Sequence, residues 1–242
     1  MSSDISAILN SWPVEDPAVR VIQGVDGRPK IQRRLPLGLL QFELEGRPDG
    51  VRPSGFDSYF DYLKHMAQGA GEEFQLGHDE CQSLAAEALL YYQRRLCFFE
   101  LGNYKRAASD AERNLEVFAF ARSYASDEDD ARLLDQYRGF VIYHRARAES
   151  LDSIEQQDFG AAVESIVRGR VEIEEFYREY GLSDQIGDSD EIQQLEALRQ
   201  RIEELRPRDR REQLEEKLND AIRREQYELA AEIRDQIRLL GQ

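Results

Sequence analysis

Near the middle of the chain the sequence reads Leu101-Gly102-Asn103-Tyr104-Lys105-Arg106-Ala107-Ala108. Gly102 and Asn103 interrupt a long stretch, residues 81–101, that is apolar on one side, because both residue types favour turns over helix interiors. A second helix is predicted over 104–124. Its small and apolar residues recur every three or four positions: Ala107, Ala108, Ala111, Leu115 and Phe118. The stretch therefore predicts two helices joined by a tight turn.

Helical signals continue toward the carboxyl terminus. Ser126, followed by three acidic residues, predicts a helix start that approximates a capping box, and the helix is expected to run to about residue 157. Asp158 is expected to cap another helix, which ends near Tyr180 with Gly181 as the stop. After a joint at 187–190, a polar helix is predicted over 191–206.

The two predicted turns lie within a pattern that resembles the tetratricopeptide repeat, over residues 84–180. The resemblance rests on Tyr91, Phe98, Leu101-Gly102-Asn103-Tyr104, Ala107 and Leu115, with a weaker echo at Asp158-Phe159, Ala162, Ile166 and Gly169. It implies close helix packing and a concave groove that holds a peptide. The alternative is an ordinary helical bundle with tight turns. The turns lie 55 positions apart, whereas the family period is about 34.

The amino-terminal part has a different pattern. Apolar runs at 19–23, 31–35 and 37–44 are separated by Asp-Gly and Pro turns, which predicts a small antiparallel sheet. A short helix is predicted over 56–66, and its aromatic side chains are expected to cover the sheet. The fold class is therefore mainly α: a helical-repeat-like (TPR-like) bundle with a small N-terminal antiparallel β module and a C-terminal helical hairpin. The predicted domains are 1–68, 72–186, a connecting helix at 190–206, and 207–242.

The last part of the chain carries two apolar stripes at helical spacing. They comprise Leu214, Leu218, Ala221 and Ile222, and then Leu229, Ile233, Ile237 and Leu240. The stripes meet around Glu225-Gln226, which predicts a short helical hairpin. A hairpin of this size buries too little apolar surface to be stable alone, so it must dock on another surface.

Residues 213–240 resemble the UVR motif of UvrB, UvrC and related proteins, without a gap. The pattern that carries the resemblance most strongly is Tyr227-Glu228, Ala230-Ala231, Arg234-Asp235 and Ile237. The resemblance implies docking on a second hairpin of the same kind, as in UvrB–UvrC association. The alternative is a helix pair that packs on its own domain. The predicted partner-binding residues are Leu218, Ile222, Tyr227, Ala230, Ala231, Ile233, Arg234, Asp235 and Ile237.

Composition limits the partners. The formal net charge is −16, and an acidic chain is not expected to bind nucleic acid directly or an anionic membrane surface. The two cysteines, Cys81 and Cys97, lie too far apart on one predicted helix to pair within it, which favours a cytoplasmic location. We find no pattern of a signal peptide, and no window approaches eighteen apolar residues.

Catalytic patterns are not found. The sequence lacks the phosphate-binding loop, the dinucleotide-binding glycine motif and the nucleophile turn of hydrolases. His78-Asp79-Glu80-Cys81 lacks the second ligand cluster that a zinc site needs. We therefore expect no metal, no cofactor and no enzymatic activity. Arg28, Arg47 and Arg52 form a candidate anion site on the hairpin loops, for which ordinary turn chemistry is the alternative.

Together these patterns predict a bacterial, cytoplasmic adaptor protein that recruits a partner protein through its C-terminal hairpin. Three alternatives remain open: an accessory factor of UvrB/UvrC excision repair, an adaptor for Clp-type chaperone-proteases, and an enzyme with an unrecognised site in the N-terminal module. Because a UVR-like hairpin pairs with another of its kind, a homodimer is also possible.

Overall fold

The structure, a computed structural model, describes residues 4–13, 18–206 and 210–239. Contacts between residues divide the chain into two units, Met1–Arg199 and Gln200–Gln242. The domain boundaries expected from the sequence stay predictions. Within the described ranges, no helix is both long enough and apolar enough to traverse a bilayer.

The first unit begins with a short helix and a three-stranded sheet. Helix α1 covers Ser6–Ser11, and the strands are β1 (Val19–Gln23), β2 (Pro29–Leu35) and β3 (Gly38–Glu43). Both strand pairs are antiparallel, in the order β1-β2-β3. The predicted sheet is confirmed, and the Asp-Gly turn between β1 and β2 contains Gly27 at φ 76°.

The next seven α-helices of the described residues follow the sheet along the chain. They are α2 (Tyr59–Ala70), α3 (His78–Glu100), α4 (Tyr104–Tyr124), α5 (Glu128–Asp135), α6 (Arg138–Glu155), α7 (Phe159–Glu179) and α8 (Asp190–Leu205). The helix starts follow the capping residues of the sequence. Asn103 accepts a hydrogen bond from the backbone N–H of Arg106, and Asp158 accepts one from that of Ala161. The mainly α fold class is confirmed.

One predicted helix is wrong. The stretch from Ser126 to about residue 157 forms two helices, α5 and α6, and the first is capped by Asp127 rather than Ser126. At the break lies Asp135, whose carboxylate is 1% exposed and accepts from Arg122 Nη1 at 3.0 Å and from the Tyr180 hydroxyl at 2.8 Å. A buried carboxylate needs such donors, and the chain turns here without a Gly or Pro to mark the place.

The sheet packs on the helices of the same unit. Val19, Ile31 and Phe42 share an apolar cluster with Phe98 of α3 and Ala107 of α4. The expectation that helix α2 covers the sheet is wrong. Its apolar side chains instead join a second cluster, formed with α3, α4, α5 and α6, and this cluster includes Phe60, Leu63, Leu84, Phe118, Leu134 and Val141.

A buried arginine joins the sheet to the helices. Arg94 Nε and Nη2 donate to the carboxylate of Asp110 at 2.9 and 2.7 Å, and its Nη1 donates to the backbone carbonyls of Glu43 and Gly46 at 3.0 and 2.8 Å. Arg94 and Asp110 are both at most 5% exposed. Four of the five guanidinium hydrogens are thereby directed at a carboxylate or at carbonyls at and just after the end of β3, which fixes the sheet against α3 and α4.

Helices α6 and α7 approach each other closely at a glycine. A Cβ atom placed on Gly169 would lie 2.4 Å from the Cβ of Ala146, so no larger residue fits there without movement of the helices. Small residues at such a contact are typical of tightly packed antiparallel helix pairs.

Candidate functional site

The second unit contains a helical hairpin, as the sequence predicts. Helix α9 covers Arg210–Arg223 and helix α10 covers Tyr227–Leu239. At the turn, the N–H of Gln226 donates to the carbonyl of Ala221 at 2.8 Å and the N–H of Glu225 donates to that of Ile222 at 3.0 Å. This is the bonding of a Schellman cap, in which the residue after the helix takes a left-handed conformation. Glu225 accordingly has φ 58°.

Two other helical hairpins of the chain use the same turn. Each has a left-handed residue, a polar residue, and then an aromatic residue at the first position of the second helix, followed three positions later by a buried alanine. The three turns are Gly102-Asn103-Tyr104 with Ala107, Gln157-Asp158-Phe159 with Ala162, and Glu225-Gln226-Tyr227 with Ala230. The C-terminal hairpin is thus a further copy of the local structure that joins α3 to α4 and α6 to α7.

The hairpin has a small apolar core of its own. Leu214 and Ala221 of α9 and Ala230 and Ile233 of α10 are each at most 8% exposed, with Leu218 and Ile237 packed beside them. Ala230 allows α9 and α10 to approach closely. Two of the predicted partner-binding residues, Ala230 and Ile233, are therefore covered by the other helix of the hairpin.

Three large apolar residues in the described part of the hairpin are exposed instead. Ile222 is 50%, Tyr227 69% and Leu229 45% exposed. By contrast, Tyr104 and Phe159, the aromatic residues at the equivalent position of the two other hairpins, are half-buried. The ring of Tyr227 is therefore more exposed to solvent than the aromatic rings at the equivalent position of the two other hairpins.

A groove of about 400 Å³ runs along one side of the hairpin. Its apolar floor includes Leu214, Leu229 and Ile233, and its polar rim includes both signs of charge: Lys217, Asp220, Arg224, Gln226 and Gln236. Ile222 and Tyr227 are not part of this lining. The polar rim was not among the residues predicted to bind a partner, because interleaved charges on a helix resemble an ordinary solvated face.

The nine predicted partner-binding residues therefore fall into three groups. Ala230 and Ile233 lie inside the hairpin, and Leu218, Ala231 and Ile237 are half-buried. The exposed residues are Ile222, Tyr227, Arg234 and Asp235, of which the last two form an ion pair at 3.4 Å. Leu240, part of the predicted apolar stripe, lies outside the described residues.

The candidate anion site on the N-terminal loops consists of arginines that have separate partners. Arg28 pairs with Asp26 at 2.8 Å, Arg47 with Asp49 at 3.0 Å and Glu87 at 3.3 Å, and Arg52 with Asp57 at 2.7 Å. No carboxylate of the described residues is shared by the three. An anion would have to compete with these acidic groups, and anion binding there stays a prediction.

In the segment His78–Cys81, the side chains of His78 and Glu80 are engaged within the protein. His78 Nδ1 lies 2.6 Å from Asp130, which raises the pKa of the imidazole, and Glu80 accepts from the backbone N–H of Gly77 at 3.0 Å. Burial raises the pKa of the Cys81 thiol to about 11. Across the described residues, no group of three or more His, Cys, Asp and Glu side chains is arranged to hold a metal ion.

Residues 208–242 match the family described as the UvrB/uvrC motif (UVR). The resemblance predicted for 213–240 is thereby confirmed, and the match coincides with the hairpin α9–α10. In UvrB and UvrC this motif is a protein-interaction motif. No curated protein and no solved structure matches the chain. The resemblance of residues 84–180 to tetratricopeptide repeats stays a prediction.

Proposed function

We propose that this protein is an adaptor that recruits a partner protein through its C-terminal hairpin, and that it is not an enzyme. The observation that carries the proposal is the exposed apolar surface of Ile222 and Tyr227 on a hairpin that matches an interaction motif. Exposed aromatic and aliphatic side chains of this kind are the usual anchors of protein interfaces.

The mode of binding follows from the hairpin's small size. Four of its described residues form a buried apolar core, which is too little to stabilise a free pair of helices. A second helical hairpin laid against Ile222 and Tyr227 would cover the exposed side chains and complete a four-helix contact. The partner that fits best is therefore a protein with its own UVR hairpin, such as UvrB or UvrC, or a second copy of this chain.

The charges of the hairpin support selection among such partners. Residues 201–242 carry ten basic and eleven acidic side chains, while the rest of the chain accounts for nearly all of the net charge. Flanking charges of both signs, including the exposed pair Arg234–Asp235, steer association and disfavour wrong partners more than they add affinity.

The test is affinity isolation with the full chain as bait, comparing the wild type with Ile222→Asp. Ile222 is 50% exposed, so the change leaves the hairpin core intact while placing a charge in the proposed interface. Val171→Asp, at a 45% exposed position on α7, is the matched control. We expect a protein that is retained by the wild type and the control and lost by Ile222→Asp. Retention by all three baits would reject the proposal.

A double change of Ile233 and Ile237 to Asp is a poorer test. Ile233 is 6% exposed and part of the hairpin core. A charge there would unfold the hairpin, so loss of binding would not locate the interface.

A further inference from the structure

The first unit contains a cavity of about 520 Å³ among helices α3, α4, α5 and α6. Its walls are mostly apolar and aromatic, and they include Leu89, Tyr92, Phe118, Leu134 and Phe140. The rim reaches the surface, since two of the lining residues, Leu89 and Tyr137, are 51% and 56% exposed. The volume and the lining are those of a small-molecule site, for which roughly 300–1,000 Å³ is typical.

A buried arginine belongs to the wall of this cavity. Arg95 lines it and is 0% exposed, and none of its three guanidinium nitrogens has a hydrogen-bond partner among the described residues. The guanidinium carbon lies 5.2 Å from the ring centroid of Tyr92, a cation–π contact that offsets only part of the lost hydration. A fully buried, unpaired arginine is rare because removing its charge from water is costly.

Asp110, the carboxylate whose charge acts on Arg95, is occupied by another arginine, and so is the buried Glu87 of the same helix. Asp110 binds Arg94 through both oxygens, and Glu87 pairs with Arg113 at 2.9 Å and Arg47 at 3.3 Å. Asp110 influences Arg95 only through its field, and burial lowers the pKa of the guanidinium to about 10, which still leaves it charged at neutral pH. The cavity wall thus carries one uncompensated positive charge.

A second polar side chain of the cavity lining, Asn114, also has an atom without a partner. Asn114 is 2% exposed, its Nδ2 donates to the carbonyl of Ala88 at 3.0 Å, and its Oδ1 has no partner among the described residues. Buried polar atoms without partners are uncommon. Asn114 Oδ1 is an acceptor, which an ionised carboxylate cannot satisfy, so it is the unpaired guanidinium of Arg95 that indicates an anion supplied from outside.

We propose that this cavity binds a small monocarboxylate with an apolar body, whose carboxylate pairs with the guanidinium of Arg95. One carboxylate matches the single unpaired charge and the two-pronged geometry of a guanidinium. The apolar walls bury the rest of the ligand. A multiply charged anion would bring excess negative charge into an apolar space, at a high desolvation cost.

The test uses decanoate and decanol, two probes with the same number of carbons, titrated into the full chain by calorimetry. We expect decanoate to bind at least about tenfold more tightly than decanol, since only the carboxylate pairs with Arg95. Equal binding of the two probes, or no binding of decanoate, would overturn the proposal. This comparison uses the unmodified chain and does not depend on the folding of any variant.

The variant Arg95→Met separates a ligand-binding arginine from a structural one. Met retains an unbranched stem like that of Arg and removes the buried charge, so we expect a higher unfolding temperature without ligand and loss of the preference for decanoate. Arg132→Met, which removes a 56% exposed arginine from α5, should preserve the preference. If Arg95→Met still prefers decanoate, the carboxylate does not bind at Arg95 and the proposal fails.

Discussion

Several ionisable side chains lie in the interior of the first unit, and they differ in how their charge is balanced. Glu87 is 1% exposed and accepts from the backbone N–H groups of Tyr59 and Phe60 as well as from Arg113. His144 is 7% exposed, and its Nδ1 has no partner among the described residues. The Glu87 carboxylate is surrounded by hydrogen-bond donors, whereas the imidazole of His144 is held neutral.

Substitution of Glu87 should be among the most destabilising changes in the chain. Glu87→Ala would leave Arg113 and two backbone N–H groups without their acceptor, and we expect a loss of about 3–5 kcal/mol in the free energy of unfolding. Glu128→Ala is the control, since the Glu128 side chain is 78% exposed and pairs only on the surface with Arg132, a contact worth about 0–1 kcal/mol. Urea unfolding measures both, and similar losses for the two variants would contradict the role of Glu87.

His144 should make the stability depend on pH. Burial, with smaller effects from the charges of Arg95 and Arg147, lowers the pKa of the imidazole to about 3. The unfolded chain takes up this proton near pH 6.5 but the folded chain does not, so stability falls as the pH decreases through that range. Between pH 7 and pH 5 this one group should cost about 2 kcal/mol.

The variant His144→Phe removes that titration and places an aromatic ring among the neighbouring rings of Phe99, Phe140 and Tyr143. We expect its free energy of unfolding to fall by about 2 kcal/mol less than that of the wild type between pH 7 and pH 5. Urea denaturation at the two pH values provides the comparison. Parallel losses in both proteins would show that His144 is not held neutral.

At the scale of helices and strands, the three related helix-to-helix turns show how far a turn can be predicted from its sequence. Gly102, Gln157 and Glu225 occupy the same left-handed position, with φ of 68°, 62° and 58°. Only the first is the glycine that the position favours. The turn sequence around Gly102 was therefore easy to predict, while the others were indicated by the capping Asp158 and by the meeting of two apolar stripes.

Gln157→Gly should stabilise the protein. The side chain of Gln157 is exposed and its backbone is left-handed, so glycine removes strain of about 1 kcal/mol without loss of packing. Gln156→Gly is the matched control: Gln156 has φ −83°, where glycine adds flexibility to the unfolded chain and removes the exposed hydrogen bond from Gln156 Nε2 to Asp152. Thermal unfolding should show a higher midpoint for the first variant alone, and a lower midpoint for Gln157→Gly would contradict the strain.

Capping residues and turn signals were enough to predict the sheet and most helices. The break between α5 and α6 was not predictable, because a buried carboxylate, Asp135, occupies the corner and no Gly or Pro marks it. Arg95 was missed for a related reason. A charged residue in a helical pattern is normally assigned to the solvated face, and only the three-dimensional packing of four helices shows that this one is enclosed.

At the scale of the whole molecule, the two units differ in how much apolar surface they bury. Among the described residues, the first unit holds large apolar clusters and the cavity, whereas the hairpin has a core of four residues. The sequence predicted the hairpin and its motif, but the division of its apolar residues into a core and an exposed set depends on how α9 and α10 pack. The exposed set, Ile222, Tyr227 and Leu229, is the part that a partner can reach.

The most direct test is the dissociation constant of the complex between the full chain and the partner protein isolated with it, measured by titration calorimetry for the wild type and Tyr227→Ala. An exposed aromatic anchor should contribute about 2 kcal/mol, so the variant should bind about 30-fold more weakly. Val171→Ala, at a 45% exposed position of the first unit, should bind like the wild type. An unchanged dissociation constant for Tyr227→Ala would contradict the assignment of this face of the hairpin as the partner-binding surface.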